Sequence, residues 1–85
     1  MKVFRTPSHL SDQVKVFCAR KKKEGLTLYQ IAEILQKKNH TTIIHNIKSY
    51  ENLIQVDPRM KKADEVFNET DFFKNYINFL HNHKN

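Results

Sequence analysis

One glycine and two prolines in 85 residues leave too few turn positions for an all-β or loop-rich protein, which needs a turn about every ten residues. The single cysteine, Cys18, excludes an intrachain disulfide. Its apolar neighbours Val14, Val16 and Phe17 point to a buried structural thiol rather than a nucleophile, and nothing in the cysteine usage asks for an oxidising compartment. No apolar run approaches the roughly eighteen residues of a membrane span, and the start "MKVFRTPSH" lacks a signal-like apolar core. The expectation is a cytoplasmic protein with no membrane partner. No GxxxxGK[ST] phosphate loop is present, so ATP hydrolysis by that route is excluded. No Ser-His-Asp, paired-carboxylate or Cys-His arrangement can be argued, and the chain is not expected to be an enzyme. His40 and His45, five residues apart, fall about 140° apart on a helix, with no cysteine or second acidic ligand close by. No metal or other cofactor is expected.

What the chain has in excess is positive charge. The net charge is +6, unevenly spread. Residues 1–50 hold ten Lys and Arg against three Asp and Glu, a balance of +7, while residues 51–85 hold five against six, a balance of −1. Such an asymmetry directs the N-terminal part at a polyanion. Its plain alternative is a solubilising lysine surface. The length fits one small domain over residues 1–85, with six Phe and three Tyr available for its core.

Helices can be read and strands cannot. The first runs from Ser8 or Ser11 to Lys23 or Glu24, with Leu10, Val14, Phe17 and Cys18 as its apolar stripe and Gly25 as its stop. Lys21, Lys22 and Lys23 complement the negative end of its dipole. Thr27 caps a short second helix whose face is Leu28, Ile31, Ala32 and Leu35, and "QKKN" interrupts the pattern. Asn39 caps a third over about 40–54, apolar at Ile43, Ile47, Tyr50 and Ile54, with Ile44 and Leu53 beside them. Asp57 and Pro58 open a fourth, running through Phe67. After a turn and cap over 68–71, a fifth carries an apolar band of Phe72, Phe73, Tyr76, Ile77, Phe79 and Leu80. The tail "HNHKN" is expected to fray.

A short helix, a turn of about four residues and a longer amphipathic helix make a helix-turn-helix unit, in which the second helix enters the major groove of DNA. With Ile43, Ile47, Tyr50 and Ile54 turned to the core, the third helix presents Thr41, Thr42, His45, Asn46 and Ser49 outward. Threonine methyls pack on thymine methyls, and asparagine pairs bidentately with adenine. The free N–H groups near Thr41 suit a phosphate. Lys37, Lys38 and Lys48 flank this face, and with Ser49 and Thr27 they are the expected backbone contacts.

Residues 27–50 resemble the C-terminal DNA-binding domain (domain IV) of the bacterial chromosomal replication initiator DnaA. The family's Asp-His-Thr-Thr block, followed by two aliphatics and a histidine, appears here as Asn39-His40-Thr41-Thr42-Ile43-Ile44-His45, with Lys48 at a basic position. "TLYQIAEIL" stands where the family has Ser-Leu-x-x-Ile-Gly. The resemblance extends more loosely over residues 7–67, and 68–85 would be an additional C-terminal helix. It implies an all-α, compact domain of Trp repressor-like or DnaA domain IV-like architecture, binding double-stranded DNA at an A·T-rich, DnaA-box-like site in replication initiation or its control. Asn39, His40 and Thr41 would reach base edges, Thr42 base or backbone, Lys21 a phosphate, and Arg5 the minor groove. The chain departs from the family at Asn39, which replaces an acid, at Gln36-Lys37, which replaces Gly-Gly, at Lys48-Ser49, where the basic pair is reduced, and at Ser11-Asp12-Gln13, which replaces a basic start. It also lacks the ATPase module.

The alternatives are a transcriptional regulator or a protein-interaction module on the same fold, the latter meeting a protein partner through the C-terminal helix and its phenylalanines. Structure-specific RNA binding ranks below both, because no exposed aromatic platform can be read.

Overall fold

Side-chain caps and chain-reversing turns set where the helices begin and end. The computed structural model describes residues 8–37 and 39–82. Its elements are α1 (Ser8–Lys23), α2 (Leu28–Ile34), α3 (Thr41–Leu53), α4 (Pro58–Glu65) and α5 (Glu69–Asn82), and no strand occurs among the described residues. Arg5 and Lys38 lie outside the described residues, as does the end of the tail.

At the end of α1, Gly25 takes φ +106°. The Leu26 amide bonds to the Lys21 carbonyl and the Gly25 amide to the Lys22 carbonyl, each at 3.1 Å, the paired closure of a Schellman turn. Asp57 caps α4 by accepting from the Arg59 amide at 2.9 Å, and Pro58 opens that helix, where its missing N–H costs nothing. Two boundaries differ from the sequence reading. α4 ends at Glu65 instead of running through Phe67, and α5 starts at Glu69, within the segment read as a turn. Asn68 is the cause of the second: its side chain accepts from the Asp71 amide at 3.0 Å, so the cap sits at the front of 68–71 and the helix begins directly behind it.

α1 is the hub and packs against each of the other four helices. Its expected stripe of Leu10, Val14, Phe17 and Cys18 is buried together with Ile31, Ala32, Leu35, Ile43, Phe72 and Tyr76. A second stripe, not anticipated, runs along α1 from buried Asp12 and Val16 to exposed Arg20, and its two charged members reach α4. Asp12 is only 4% exposed, and its carboxylate meets Arg59 Nε at 3.1 Å. Further along, Arg20 donates to the Asp64 backbone carbonyl at 2.8 Å and lies over the Phe67 ring, 5.0 Å from its centroid. A buried carboxylate without a cation is heavily penalised, so the Asp12–Arg59 pair fixes where α4 crosses α1.

α5 belongs to this core. Phe17 stacks on Phe72 with ring centroids 5.0 Å apart, Phe72 stacks on Tyr76 at 5.4 Å, and Phe73 meets the edge of Phe17 at 5.2 Å. Burying such a ring contributes about 1.5–3 kcal/mol, so these three-ring contacts outweigh any surface ion pair of the molecule. The expected band narrows at its edge, where Ile77 is exposed. The result is an all-helical, compact globule with a Cα radius of gyration of 12.6 Å. Among the described residues no helix is long and apolar enough to cross a membrane.

Candidate nucleic-acid interface

The segment from Thr27 to α3 is tied down at both helices and at the turn between them. Thr27 and Gln30 form a reciprocal capping box: the Gln30 amide donates to Thr27 Oγ1 at 3.1 Å, and the Thr27 amide donates to Gln30 Oε1 at 2.8 Å. At the other end of α2 the Lys37 amide reaches the Ala32 carbonyl at 2.8 Å, and the Gln36 amide the Glu33 carbonyl at 3.1 Å. This is a second Schellman turn, but its left-handed residue is Gln36, at φ +57°. A non-glycine residue therefore holds the left-handed conformation that glycine adopts freely, at a cost of roughly 1–2 kcal/mol. From below, the buried Tyr76 hydroxyl donates to the Leu35 carbonyl at 2.8 Å and satisfies an acceptor that the helix end leaves free.

Asn39 then starts α3. Its Oδ1 accepts from the Thr41 amide at 2.8 Å, as expected of a cap. His40 already has helical angles, φ −68° and ψ −14°, and makes no side-chain cap bond. Its carbonyl receives the amides of Ile43 at 3.0 Å and Ile44 at 3.2 Å.

Beyond that start, α3 is less deeply seated than its periodicity suggests. Ile43 is buried, but Ile47, Tyr50 and Ile54 are only half-buried. Ile47 and Tyr50 border an open groove between the end of α1 and α3, lined also by Ala19, Lys22 and Glu51 among others. On the opposite side Thr41, Thr42, His45 and Lys48 are exposed, and Asn46 and Ser49 are half-buried. Thr41, His45 and Lys48 follow at i, i+4 and i+7 and form one outward row. Asn39 and Thr27 are exposed and Lys37 is half-buried.

Lys21 does not join them. Its ammonium lies 2.8 Å from Glu69 and 3.3 Å from Glu24, and the side chain is only 15% exposed. It also sits over the Phe17 ring at 5.6 Å. The hydrogen bond to Glu69 pushes its pKa above the usual lysine value, despite an opposing effect of burial. A cation shared by two carboxylates and packed on a ring is not a free phosphate clamp, and Lys21 is a structural residue of the α1–α5 junction. The helix phase explains this: Lys21 follows Phe17 by four residues and so falls on the apolar stripe. Lys22, one residue and about 100° further round, lines the groove with Leu28, Ile44, Ile47, Lys48 and Glu51. Lys22, and not Lys21, is therefore the lysine of this run that lies beside α3.

Tyr29 was also missed. Its side chain stands on the first turn of α2, 70% exposed, with its ring against that of His40 at a centroid distance of 4.7 Å. The surface thus does carry an exposed aromatic group, contrary to the sequence expectation. Cys18 conforms to its reading: burial pushes its thiol up to about 12, far from the range of a reactive thiolate.

Comparison with protein-family models, with curated proteins and with solved structures returns no match.

Proposed function

We propose that this protein binds double-stranded DNA sequence-specifically, with α2, the turn and α3 acting as a helix-turn-helix and α3 lying in the major groove. The observation that carries this reading is the outward row of Thr41, His45 and Lys48 beside exposed Thr42, on a helix whose first turn is capped by the neighbouring Asn39. Short polar side chains at the start of such a helix allow close approach to base edges, and flanking lysines meet phosphates. Asn39, His40, Thr41, Thr42, His45 and Asn46 are the proposed base-reading set. Lys22, Lys37, Lys48, Ser49 and Thr27 hold the backbone, and Lys21 is withdrawn from that role. The resemblance of residues 27–50 to DnaA domain IV suggests a box related to the initiator's, A·T-rich, and a part in replication initiation or its control. The same surface would serve a transcriptional regulator.

Fluorescence anisotropy with A·T-rich duplexes over a series of salt concentrations tests the reading. About three neutralised phosphates, one for each lysine of the backbone-holding set, give a log–log salt slope of roughly −3, at about 0.9 per phosphate. A flat dependence, or no binding at about 50 mM salt, where phosphate-driven binding is strong, would defeat the DNA reading in favour of a protein-interaction module.

A further inference from the structure

We infer that Tyr29 is a positioning residue for sequence readout: its ring holds the His40 imidazole in the orientation in which His40 meets a base. The inference rests on the DNA-binding reading above and adds to it a residue on the other helix. Three observations lead to it. His40 stands between the turn and α3, and its side chain makes no capping hydrogen bond, so the cap does not fix its rotamer. The contact that does restrain the ring is with Tyr29, at 4.7 Å between centroids and 49° between planes. Tyr29 itself is 70% exposed, so the ring pair lies at the surface, where a ligand can reach it. It has little to do with the core.

Capping hydrogen bonds hold the backbone beside both residues. Tyr29 lies inside the Thr27–Gln30 capping box, and His40 is flanked by the Asn39 side chain on the Thr41 amide. Two fixed backbones with one ring against the other restrict the imidazole without using its nitrogens, which stay available to a base edge. A hydrogen-bonded restraint would have consumed one of them.

The test is a double-mutant cycle on the full chain, comparing wild type, Tyr29→Ala, His40→Ala and the double variant, with Tyr29→Phe as the conservative variant. Binding is measured on a site selected by the wild type from a random duplex pool and on an unrelated duplex. Tyr29→Ala should lose about three- to tenfold in affinity for the selected site, the size of one aromatic pair, and keep its affinity for the unrelated duplex. Tyr29→Phe should match the wild type. In the His40→Ala background, removing Tyr29 should cost nothing more, and both single variants should relax preference at the same base position. The melting temperature should stay within a degree or so of wild type, because Tyr29 is largely exposed and a surface substitution changes little. Equal loss from Tyr29→Ala with and without His40 would overturn the inference and make Tyr29 an independent contact. A Tyr29→Ala variant identical to wild type on every duplex would overturn it while leaving the DNA reading intact. A wild type that binds no duplex would end both.

Discussion

At Asn39 a single carboxamide caps α3 and, in the proposed reading, also faces a base. Oδ1 is engaged by the Thr41 amide, so the group left to face a base is the NH₂, a donor. In Asn39→Asp one oxygen would cap as before and the other would face the base as an acceptor. The variant should therefore shift preference toward cytosine, whose N4 amino group donates into the major groove. Stability should change little, since Asp and Asn cap about equally well. Selection of bound duplexes by the two proteins checks this, and superimposable preferences at every position would reduce Asn39 to a cap. Residue identity was largely legible in the sequence here, because capping is local chemistry. At Lys21, legibility failed for a different reason. Three consecutive lysines look alike in composition, and only the helical phase, set by Phe17 and Cys18, decides that one is bound to carboxylates while its neighbour lies beside α3. Asp12 was opaque in the same way: nothing local announces that Arg59, 47 positions later, will bury it.

Among the elements, the turn between α2 and α3 concentrates opposing contributions. Gln36 is held at positive φ, and the Tyr76 hydroxyl anchors the preceding carbonyl. Gln36→Gly should relieve the left-handed strain and raise stability by about 0.5–1 kcal/mol, after allowing for glycine's extra freedom in the unfolded chain. Tyr76→Phe should lower it by about 1–3 kcal/mol, because a buried carbonyl loses its partner. Chemical denaturation of both variants checks the signs, and a neutral Tyr76→Phe would mean the carbonyl finds water instead. Element boundaries were readable wherever a cap residue stood alone, as at Thr27, Asn39 and Asp57. They slipped at 66–71, where Asn68 and Asp71 both offer capping side chains and the sequence does not say which is used.

For the whole molecule, alkaline pH is the revealing variable. Burial holds the Cys18 thiol up to about 12 from an ordinary 9.0, and the Tyr76 phenol up to about 12 from 10.0. A raised folded-state pKa means that the unfolded chain releases its proton first as pH rises. The stability associated with these groups is therefore complete below pH 9 and drains away between about 9 and 12, with Cys18 acting first. Each group contributes a slope of at most about 1.4 kcal/mol per pH unit. Denaturation midpoints should fall across that window, and Cys18→Ala should flatten the part between pH 9 and 10. An unchanged slope in that variant would show that the thiol is not the group responsible. The overall all-helical fold was legible because scarce glycine and 3.6-residue periodicity leave few alternatives. That α5 packs into the core was legible in an apolar band wide enough to bury; which of its rings stack on Phe17 was not, because that depends on how two distant helices cross.

Asp64 has a consequence for how the candidate interface opens. Its Oδ1 accepts from Arg20 of α1 at 3.3 Å and from the Tyr50 hydroxyl of α3 at 3.1 Å, and burial together with this bond pushes the Tyr50 phenol above its usual value. One carboxylate on α4 thus holds the back of the helix whose front is turned to solvent. Ile43 is the sole buried residue that α3 contributes, and half-buried Ile47 and Tyr50, packing on α1 and this carboxylate hold the later turns of that helix. Its amides should exchange with solvent deuterium together with those of α4, as one cooperative unit of low opening free energy, while α1 stays protected. The last turns of α3 would then open before its capped first turn, and a ligand that seats on the helix would slow that opening.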